Sequence, residues 1–309
     1  MNVGIIGSGS IATHLNGRLE LLGIKTSYML KSNEQFKSVE YLDQHNPRAV
    51  FLTISTKDHG EAARAYMLEC VERGVPVITC EKGALAYHAK DLKKYIELIR
   101  FSAAVGGGTK LLPYIKGRLI TGYPTRIQAV LNGTLNYIFH EMQQSGRALG
   151  EACDEAQKLG YAEPGANTIA ALLNGELKDI QRKVCVLFNM VLATNTYLTP
   201  DMLEPFEFSN LEIQASNAGS RLVVEFSNTN SGSKILEGPS FNTHVGNWTV
   251  SAGLRTIDTS LSWLPGGIGN AIHITEGELG KGGIYTLIGP GAGSEATTSA
   301  LISDLLNMV

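Results

Sequence analysis

A carboxylate and an amine four residues apart form the most suggestive chemical pair in the chain. Asp179 and Lys183 fall within a segment, from about Glu176 to Leu192, whose apolar residues recur at helical spacing. Both side chains therefore project from one face of a predicted helix, and the apolar residues that flank them would place the pair at the edge of a buried face. A surface ion pair worth roughly 0.3–0.5 kcal/mol has the same spacing, so the pair alone leaves both interpretations open.

The turn Asn132-Gly133-Thr134 is a second candidate, because it links a predicted strand, Ile127 to Leu131, to a predicted helix that begins near Leu135. Backbone N–H groups at the start of a helix are available to bind an oxygen of a ligand. An Asn or Thr helix cap accounts for the same residues, and the two roles are compatible.

A glycine motif near the N-terminus predicts a bound dinucleotide. The sequence from Gly7 to Ala12 has the G-x-G-x-x-A form and directly follows a predicted strand, Val3 to Ile6. Gly7 permits the tight turn and Gly9 the close approach of a pyrophosphate, while Ala12 lets the helix pack near the strand. The candidate coenzyme-binding residues of the motif are Gly7, Gly9, Ser10, Ile11 and Ala12.

The residues after the second predicted strand, Lys25 to Leu30, bear on the choice of coenzyme. NAD-binding sites usually place an acidic residue about 20 positions after the glycines. Lys31 and Ser32 stand there instead, with Glu34 as a possible acidic substitute. A cation would suit the 2′-phosphate of NADP, so we favour NADP over NAD, although a solvated loop lysine explains Lys31 as well.

Strands and helices alternate through the first third of the chain, which predicts a doubly wound parallel sheet of the α/β class. In such sheets, ligands bind at the loops after the carboxyl ends of strands. Candidate residues in two such loops are Thr53 and Ser55 in the first and Lys82 in the second. Lys82 could stabilise charge on a reacting oxygen or be an ordinary surface lysine.

The remaining predicted elements indicate a second domain. Helices are predicted over Asp58 to Arg73, Leu149 to Leu159 and Ser294 to Leu306, and strands over Ser102 to Val105, Leu222 to Phe226, Phe241 to Val245, Trp248 to Ala252, Ile272 to Thr275 and Ile284 to Ile288. The later strands suggest a mixed sheet. Glu163 precedes a proline, which disfavours helical backbone, so its carboxylate is predicted on a loop.

With 309 residues, 43% of them hydrophobic and 18% charged, the chain can bury two cores of ordinary size. A net charge of −3 gives no reason to expect nucleic acid or an anionic membrane as a partner. No apolar run approaches the roughly 20 residues that span a bilayer, and the N-terminus lacks the basic region of a signal peptide. The four cysteines are scattered without metal-type spacing, which favours reduced thiols in a cytoplasmic protein.

Taken together, these stretches resemble the homoserine dehydrogenase family. Its Asn-Gly-Thr-x-Asn-Tyr-Ile block begins at Asn132, its Gly-Tyr-Ala-Glu-Pro block ends at Pro164, and its Gly-Pro-Gly-Ala-Gly block ends at Gly293. The matching stretches, in the family's order, are Gly7–Ala12, Val77–Leu85, Ala104–Gly108, Val130–Phe139, Ala156–Pro164, Asp179–Lys183, Leu264–Ile272 and Gly289–Asp304.

The resemblance implies a Rossmann domain over residues 1–126, completed by a C-terminal helix over 294–309, and an inserted α/β substrate and dimerisation domain over 127–293. It also implies a homodimer, without a regulatory domain after Val309, that interconverts aspartate 4-semialdehyde and homoserine with NAD or NADP. Lys183 would relay the proton with Asp179 as its partner, and Lys82 would lie between the nicotinamide and the substrate oxygen. Further contacts implied are Glu163, Tyr161, Gly133 and Thr134 with the substrate and Gly289 with the coenzyme.

The chain departs from the family pattern near the substrate. Gly165-Ala166-Asn167 follows Pro164 where the family has Asp-Pro and a further acidic residue, so a carboxylate expected to bind the substrate's amino group is missing. The segment before Asp179 is longer than usual, which leaves Lys178 as an alternative to Lys183.

Three further departures also cluster around the substrate and not the coenzyme: Glu81 replaces an asparagine, Lys110 replaces a proline, and Ser102 replaces a glutamate near the family's monovalent-cation site, so no metal is predicted. The missing acidic residues after Pro164 leave a related dehydrogenase acting on another small hydroxy acid or aldehyde as an alternative. A non-catalytic dinucleotide-binding protein is a further one.

Overall fold

The computed structural model describes residues 1–31, 33–34, 38–162, 166–193, 195–203, 219–228, 240–257, 259–277, 281–291 and 293–308. The chain forms two compact units, one of Met1–Leu112, Cys185–Leu198 and Gly293–Val309, the other of Pro113–Val184 and Thr199–Ala292. The boundary that the sequence places between residues 126 and 127 thus falls between 112 and 113, and the stretch from Cys185 belongs to the first unit.

A five-stranded parallel sheet organises the first unit, which confirms the predicted α/β class. Its strand order is β2-β1-β3-β4-β5. The strands are β1 (Asn2–Ile6), β2 (Lys25–Leu30), β3 (Val50–Leu52), β4 (Val77–Thr79) and β5 (Ile99–Arg100). The helices that connect them are α1 (Ser10–Leu21), α2 (Ser38–His45), α3 (Glu61–Val71), α4 (Gly83–Tyr87) and α5 (Ala89–Leu92). The apolar strand residues Ile5, Phe51 and Ile78 are fully buried in the core of this unit.

A six-stranded sheet organises the second unit, with the order β11-β10-β6-β7-β9-β8. Its strands are β6 (Pro124–Val130), β7 (Ser220–Asn228), β8 (Ser240–Val245), β9 (Trp248–Thr256), β10 (Gly269–Glu276) and β11 (Gly283–Pro290). Helix α6 (Leu111–Thr121) leads into this unit, which also contains α7 (Gly133–Ser145), α8 (Leu149–Lys158) and most of α9 (Ile169–Leu187). Ile127, Phe226, Val250 and Ile272 are fully buried.

The prediction of a mixed sheet in this unit was wrong. Each pairing among the described strands is antiparallel. The link from Val245 to Trp248 is a two-residue hairpin, and Gly246 adopts a φ of 60° there, which suits such a turn. A parallel pair needs a long crossover, which this short link cannot supply.

A buried carboxylate ties three strands of the second sheet together. Glu225 on β7 accepts hydrogen bonds from Arg126 on β6 and Arg255 on β9, both at 2.8 Å, and from Gln128 at 3.0 Å. Burial raises the pKa of Glu225, but the two guanidinium groups outweigh it, so the pKa is lowered overall. The carboxylate therefore stays charged and fixes the pairing of these strands.

The C-terminal helix α10 (Ser294–Leu306) packs within the first unit. Its Ala300, Leu301 and Leu305 are buried in the same core as the β1, β3 and β4 strands. Asp304 of this helix accepts the backbone N–H of Ser102 at 2.9 Å.

This hydrogen bond explains why the strand predicted over Ser102 to Val105 was wrong. Ser102–Ala104 forms a 3-10 turn, and the strand is β5, just before it. The N–H of Ser102 donates to a side chain and not to a neighbouring strand, and Gly106 and Gly107 follow with φ values of 88° and 52°.

Two helix boundaries also differ from those predicted. Helix α3 begins at Glu61 and not at Asp58, because Asp58, His59 and Gly60 have left-handed φ values of 44°, 56° and 85°. Helix α9 begins at Ile169 and ends at Leu187, followed by a π-helical turn, Phe188–Leu192. None of the helices in the described part of the chain combines the length and apolar character needed to cross a membrane.

Candidate active site

The turn before α7 is a capped helix start. The side-chain oxygen of Asn132 accepts the N–H of Leu135 at 2.8 Å, and its backbone is extended, as a cap residue requires. Position 133 requires a glycine, because the backbone of Ile268 lies so near that a Cβ would be 2.7 Å from its oxygen. Thr134 donates its hydroxyl to the backbone oxygen of Tyr161 at 2.6 Å.

Polar side chains on one face of α9 contact this turn. Asp179 and Lys183 form an ion pair of 2.7 Å, and Nζ of Lys183 also donates to the backbone oxygen of Leu131 at 2.7 Å. The side chains are only 17% and 11% exposed, which excludes the surface-pair interpretation. Lys178 is exposed, so the structure brings Lys183, and not Lys178, to the turn.

Asn132 joins the turn to two carboxylates of α9. Its side-chain nitrogen donates to Glu176 at 2.6 Å and to Asp179 at 3.3 Å. One side chain therefore caps α7 and contacts both acidic groups, of which Asp179 pairs with the Lys183 ammonium. Tyr161 packs its ring edge-on against Tyr137, with centroids 4.9 Å apart. Glu163, the predicted loop carboxylate, lies outside the described residues.

Asn136 is a structural support that the sequence analysis missed. It is 3% exposed inside α7, and its side-chain nitrogen donates to the backbone oxygens of Pro265 at 3.0 Å and Gly267 at 2.8 Å. A buried amide one turn into an apolar helix was the available signal, because such a group needs partners. It fixes the Pro265–Gly269 loop next to Gly133.

In the first unit, the glycine motif has the geometry of a phosphate cradle. Gly7 has a φ of 142°, and a Cβ there would lie 2.3 Å from Oγ1 of Thr53. Gly9 is the N-cap residue just before α1, and no described atom lies within 4 Å of where its Cβ would stand. Ser10 is exposed, Ile11 half-buried and Ala12 fully buried. The exposed N–H groups at the start of α1 and the open space at Gly9 fit the pyrophosphate of a dinucleotide.

The loops after β3 and β4 are fixed by Glu81, a role that the sequence analysis did not assign. Glu81 is 2% exposed and accepts the N–H groups of Gly83 at 2.6 Å and Ala84 at 2.9 Å, together with the hydroxyl of Thr56. The carboxylate thereby pairs with the free backbone N–H groups at the start of α4. It also holds the half-buried Lys82, the next residue, in a defined loop.

The other predicted coenzyme contacts have varied surroundings. Thr53 is buried, and Ser55 is exposed in the same loop. Lys31 is exposed, and its backbone N–H donates to the Glu34 carboxylate at 2.9 Å, while Ser32 lies outside the described residues. Gly289 lies in β11, opposite Asn270, and belongs to a strand of the second unit. These coenzyme assignments stay predictions. Among the described residues, no three His, Cys, Asp or Glu side chains are grouped as a metal site.

A doubly wound first unit with a glycine-rich turn before α1, and a second unit with a buried Asp–Lys pair, are typical of two-domain dehydrogenases. The sequence pattern of the homoserine dehydrogenase family matches residues 118–306. The chain belongs to this family.

Two curated relatives show the extent of the sequence similarity. The homoserine dehydrogenase of Neisseria gonorrhoeae is 25% identical over 250 residues, which cover 80% of this chain and 53% of that protein. The NAD(+)-dependent homoserine dehydrogenase of Pseudomonas canavaninivorans is 28% identical over 264 residues, covering 83% and 69%. The chain thus matches little more than half the length of the Neisseria protein.

Solved structures support the same fold. Homoserine dehydrogenase from Thermoplasma acidophilum superposes with a TM-score of 0.71 at 18% identity, covering 100% of this chain and 98% of that chain. A hyperthermophilic archaeal homoserine dehydrogenase mutant in complex with NADPH gives 0.68 at 19% identity, covering 99% and 96%.

Proposed function

We propose that the chain is an NAD(P)-dependent homoserine dehydrogenase that interconverts L-homoserine and L-aspartate 4-semialdehyde. The observation that carries this proposal is the buried pair of Asp179 and Lys183, placed 2.7 Å apart at the capped turn before α7. This pair lies inside the stretch that matches the family pattern, residues 118–306.

The bound nicotinamide coenzyme would accept or supply the hydride. Oxidation of the alcohol requires loss of the hydroxyl proton, and Lys183 is the group we assign to relay it: its amine would take up the proton, and Asp179 would hold the ammonium that results. In the reverse direction, the same ammonium would protonate the oxygen of the aldehyde as charge develops on it. Lys82 would add positive charge at that oxygen. Substrate contacts would come from Gly133, Thr134, Tyr161 and Glu163.

Two relatives bear on the choice between NAD and NADP. The Pseudomonas canavaninivorans protein is described as NAD(+)-dependent, and the archaeal structure contains NADPH. For this chain we propose NAD or NADP, with a preference for NADP because Lys31 is exposed after β2. One contact argues the other way: the Glu34 carboxylate, which accepts the backbone N–H of Lys31, would suit a ribose hydroxyl and therefore NAD, so both coenzymes are compared in the assay.

The first experiment follows reduced-coenzyme absorbance with L-homoserine and a panel of small hydroxy acids, with NAD and NADP in parallel. Lys183→Ala is expected to lower kcat by about 10²- to 10⁴-fold, because the proton relay is lost. Lys178→Gln, at an exposed position on the same helix, is the matched control and should retain wild-type activity. Absence of homoserine turnover with both coenzymes, or full activity of Lys183→Ala, would contradict the proposal.

We also propose that the protein is a cytoplasmic homodimer. The proposal is supported by membership of the family and by four cysteines that are free thiols in the structure. Light scattering coupled to gel filtration tests the dimer, and a monomer at enzyme-assay concentration would contradict it.

A further inference from the structure

An amino-acid substrate brings a positive ammonium group into the site, and that charge requires an anionic partner once it leaves water. The residues after Pro164 supply none at Gly165, Ala166 or Asn167. Glu163 is one carboxylate already assigned to the substrate, and a second carboxylate of the second unit is therefore a candidate to replace the missing one.

Helix α9 places such a carboxylate at the turn. Glu176 accepts the side-chain N–H of Asn132 at 2.6 Å, and Asn132 also donates to Asp179, so Glu176 belongs to one cluster with the Asp179–Lys183 ion pair. Asp179, the other acidic residue of this cluster, is already paired with Lys183 at 2.7 Å. Glu176 lies one helical turn before Asp179 and two turns before Lys183, so the three side chains share one face.

The separation of Glu176 and Lys183 along this face suits the separation of the ammonium and hydroxyl groups in the substrate. Seven residues of helix place Glu176 and Lys183 about 10 Å apart along the axis. A hydroxy amino acid with three carbons between its nitrogen and its hydroxyl oxygen spans about 5 Å. Two long side chains that reach inward from both ends can therefore contact its ammonium and its hydroxyl together.

We propose that Glu176 is a specificity-determining residue that binds the ammonium group of the substrate. This inference rests on the proposed function. The hydrogen bond from Asn132 fixes the Glu176 side chain before the substrate arrives, so little further side-chain entropy is lost on binding. Asn132 also separates Glu176 from Asp179 by donating to both, which reduces the repulsion between two carboxylates.

The test uses Glu176→Gln, which keeps the shape and can still accept the hydrogen bond from Asn132. Loss of the charge is expected to raise KM for L-homoserine by about 10- to 100-fold, while kcat and the KM for the coenzyme change little. Asp154→Asn, which removes one carboxylate from an exposed position on α8, is the matched charge control and should leave KM unchanged. Glu176→Asp, which retains the charge, should have a KM for L-homoserine nearer to that of the wild type.

A comparison with 4-hydroxybutanoate, which lacks the amino group, separates ammonium binding from a structural role. As a competitive inhibitor it should bind Glu176→Gln and the wild type equally well. Equal weakening of both ligands, or an unchanged KM for homoserine in Glu176→Gln, would overturn the role of Glu176 and leave the proposed function intact. A wild-type protein that does not oxidise homoserine would overturn both.

Discussion

At the scale of single residues, Asn132 has two structural roles in the candidate site. Its oxygen caps α7, and its nitrogen donates to two carboxylates of α9. The sequence predicted the cap, because an asparagine before a helical apolar pattern is a local signal. The bridge to Glu176 was not predictable, since nothing local specifies which residues pack against the amide nitrogen.

Substitution of Asn132 separates the two roles. Serine retains a capping oxygen but loses the donors, which should cost about 1 kcal/mol of unfolding free energy. Aspartate also retains a capping oxygen, yet it places a third carboxylate beside Glu176 and Asp179 and should cost about 2–3 kcal/mol. Urea unfolding of both variants measures these costs. A protein with Asn132→Ser as stable as the wild type would show that the bridge contributes little, and one with Asn132→Asp as stable as Asn132→Ser would show that the added carboxylate meets no repulsion.

At the scale of elements, the β1–α1 turn shows how two glycines of one motif serve different ends. Gly7 has a left-handed φ and lies against Thr53, so it is needed for folding. Gly9 has a φ of −81° and open space around its missing side chain. The motif and its flanking strand and helix lie within one short stretch, so the sequence predicted a tight turn at Gly7, which its φ confirms, and the approach of a pyrophosphate at Gly9, which stays a prediction.

Alanine substitutions should separate folding from coenzyme binding. Gly7→Ala is expected to lower the unfolding free energy by about 1–3 kcal/mol, because the Cβ meets Thr53 and the backbone is strained. Gly9→Ala should fold normally but weaken coenzyme binding by about tenfold, since the added methyl group would occupy the space of the pyrophosphate. Thermal unfolding and fluorescence titration with NADPH and NADH measure these effects. Unchanged binding by Gly9→Ala would place the pyrophosphate elsewhere.

At the scale of the whole molecule, the first unit is assembled from three separate stretches of chain. Its C-terminal helix supplies Leu301 and Leu305 to the core and Asp304 to the N–H of Ser102. Burial raises the pKa of Asp304, and the Ser102 hydrogen bonds, Arg100 and Lys110 oppose the shift only in part.

This raised pKa predicts how stability depends on pH. The folded protein binds the Asp304 proton more tightly than the unfolded chain, so the stability linked to it is present at low pH and is lost as pH rises through the raised pKa. An asparagine side chain at this position would not titrate. The stability of Asp304→Asn relative to the wild type should therefore increase from about pH 4 upward and then level off. Thermal unfolding across this range measures it, and a difference independent of pH would contradict the raised pKa.

The sequence by itself determined the features that depend on neighbours in the chain. These are the glycine cradle, the alternating strands and helices of the first sheet, the capped turn at Asn132 and the four-residue spacing of Asp179 and Lys183. Hydrogen bonding and side-chain periodicity within a few residues specify each of them.

Only the tertiary structure decided the contacts between distant stretches. Lys183 meets the backbone of Leu131 across 52 positions, and Asp304 meets Ser102 across 202. The first contact turns an ordinary helical ion pair into a buried one, and the second replaces a predicted strand with a turn. Such partners are chosen by how whole surfaces pack and by which buried polar groups need satisfying, and no local pattern encodes that choice.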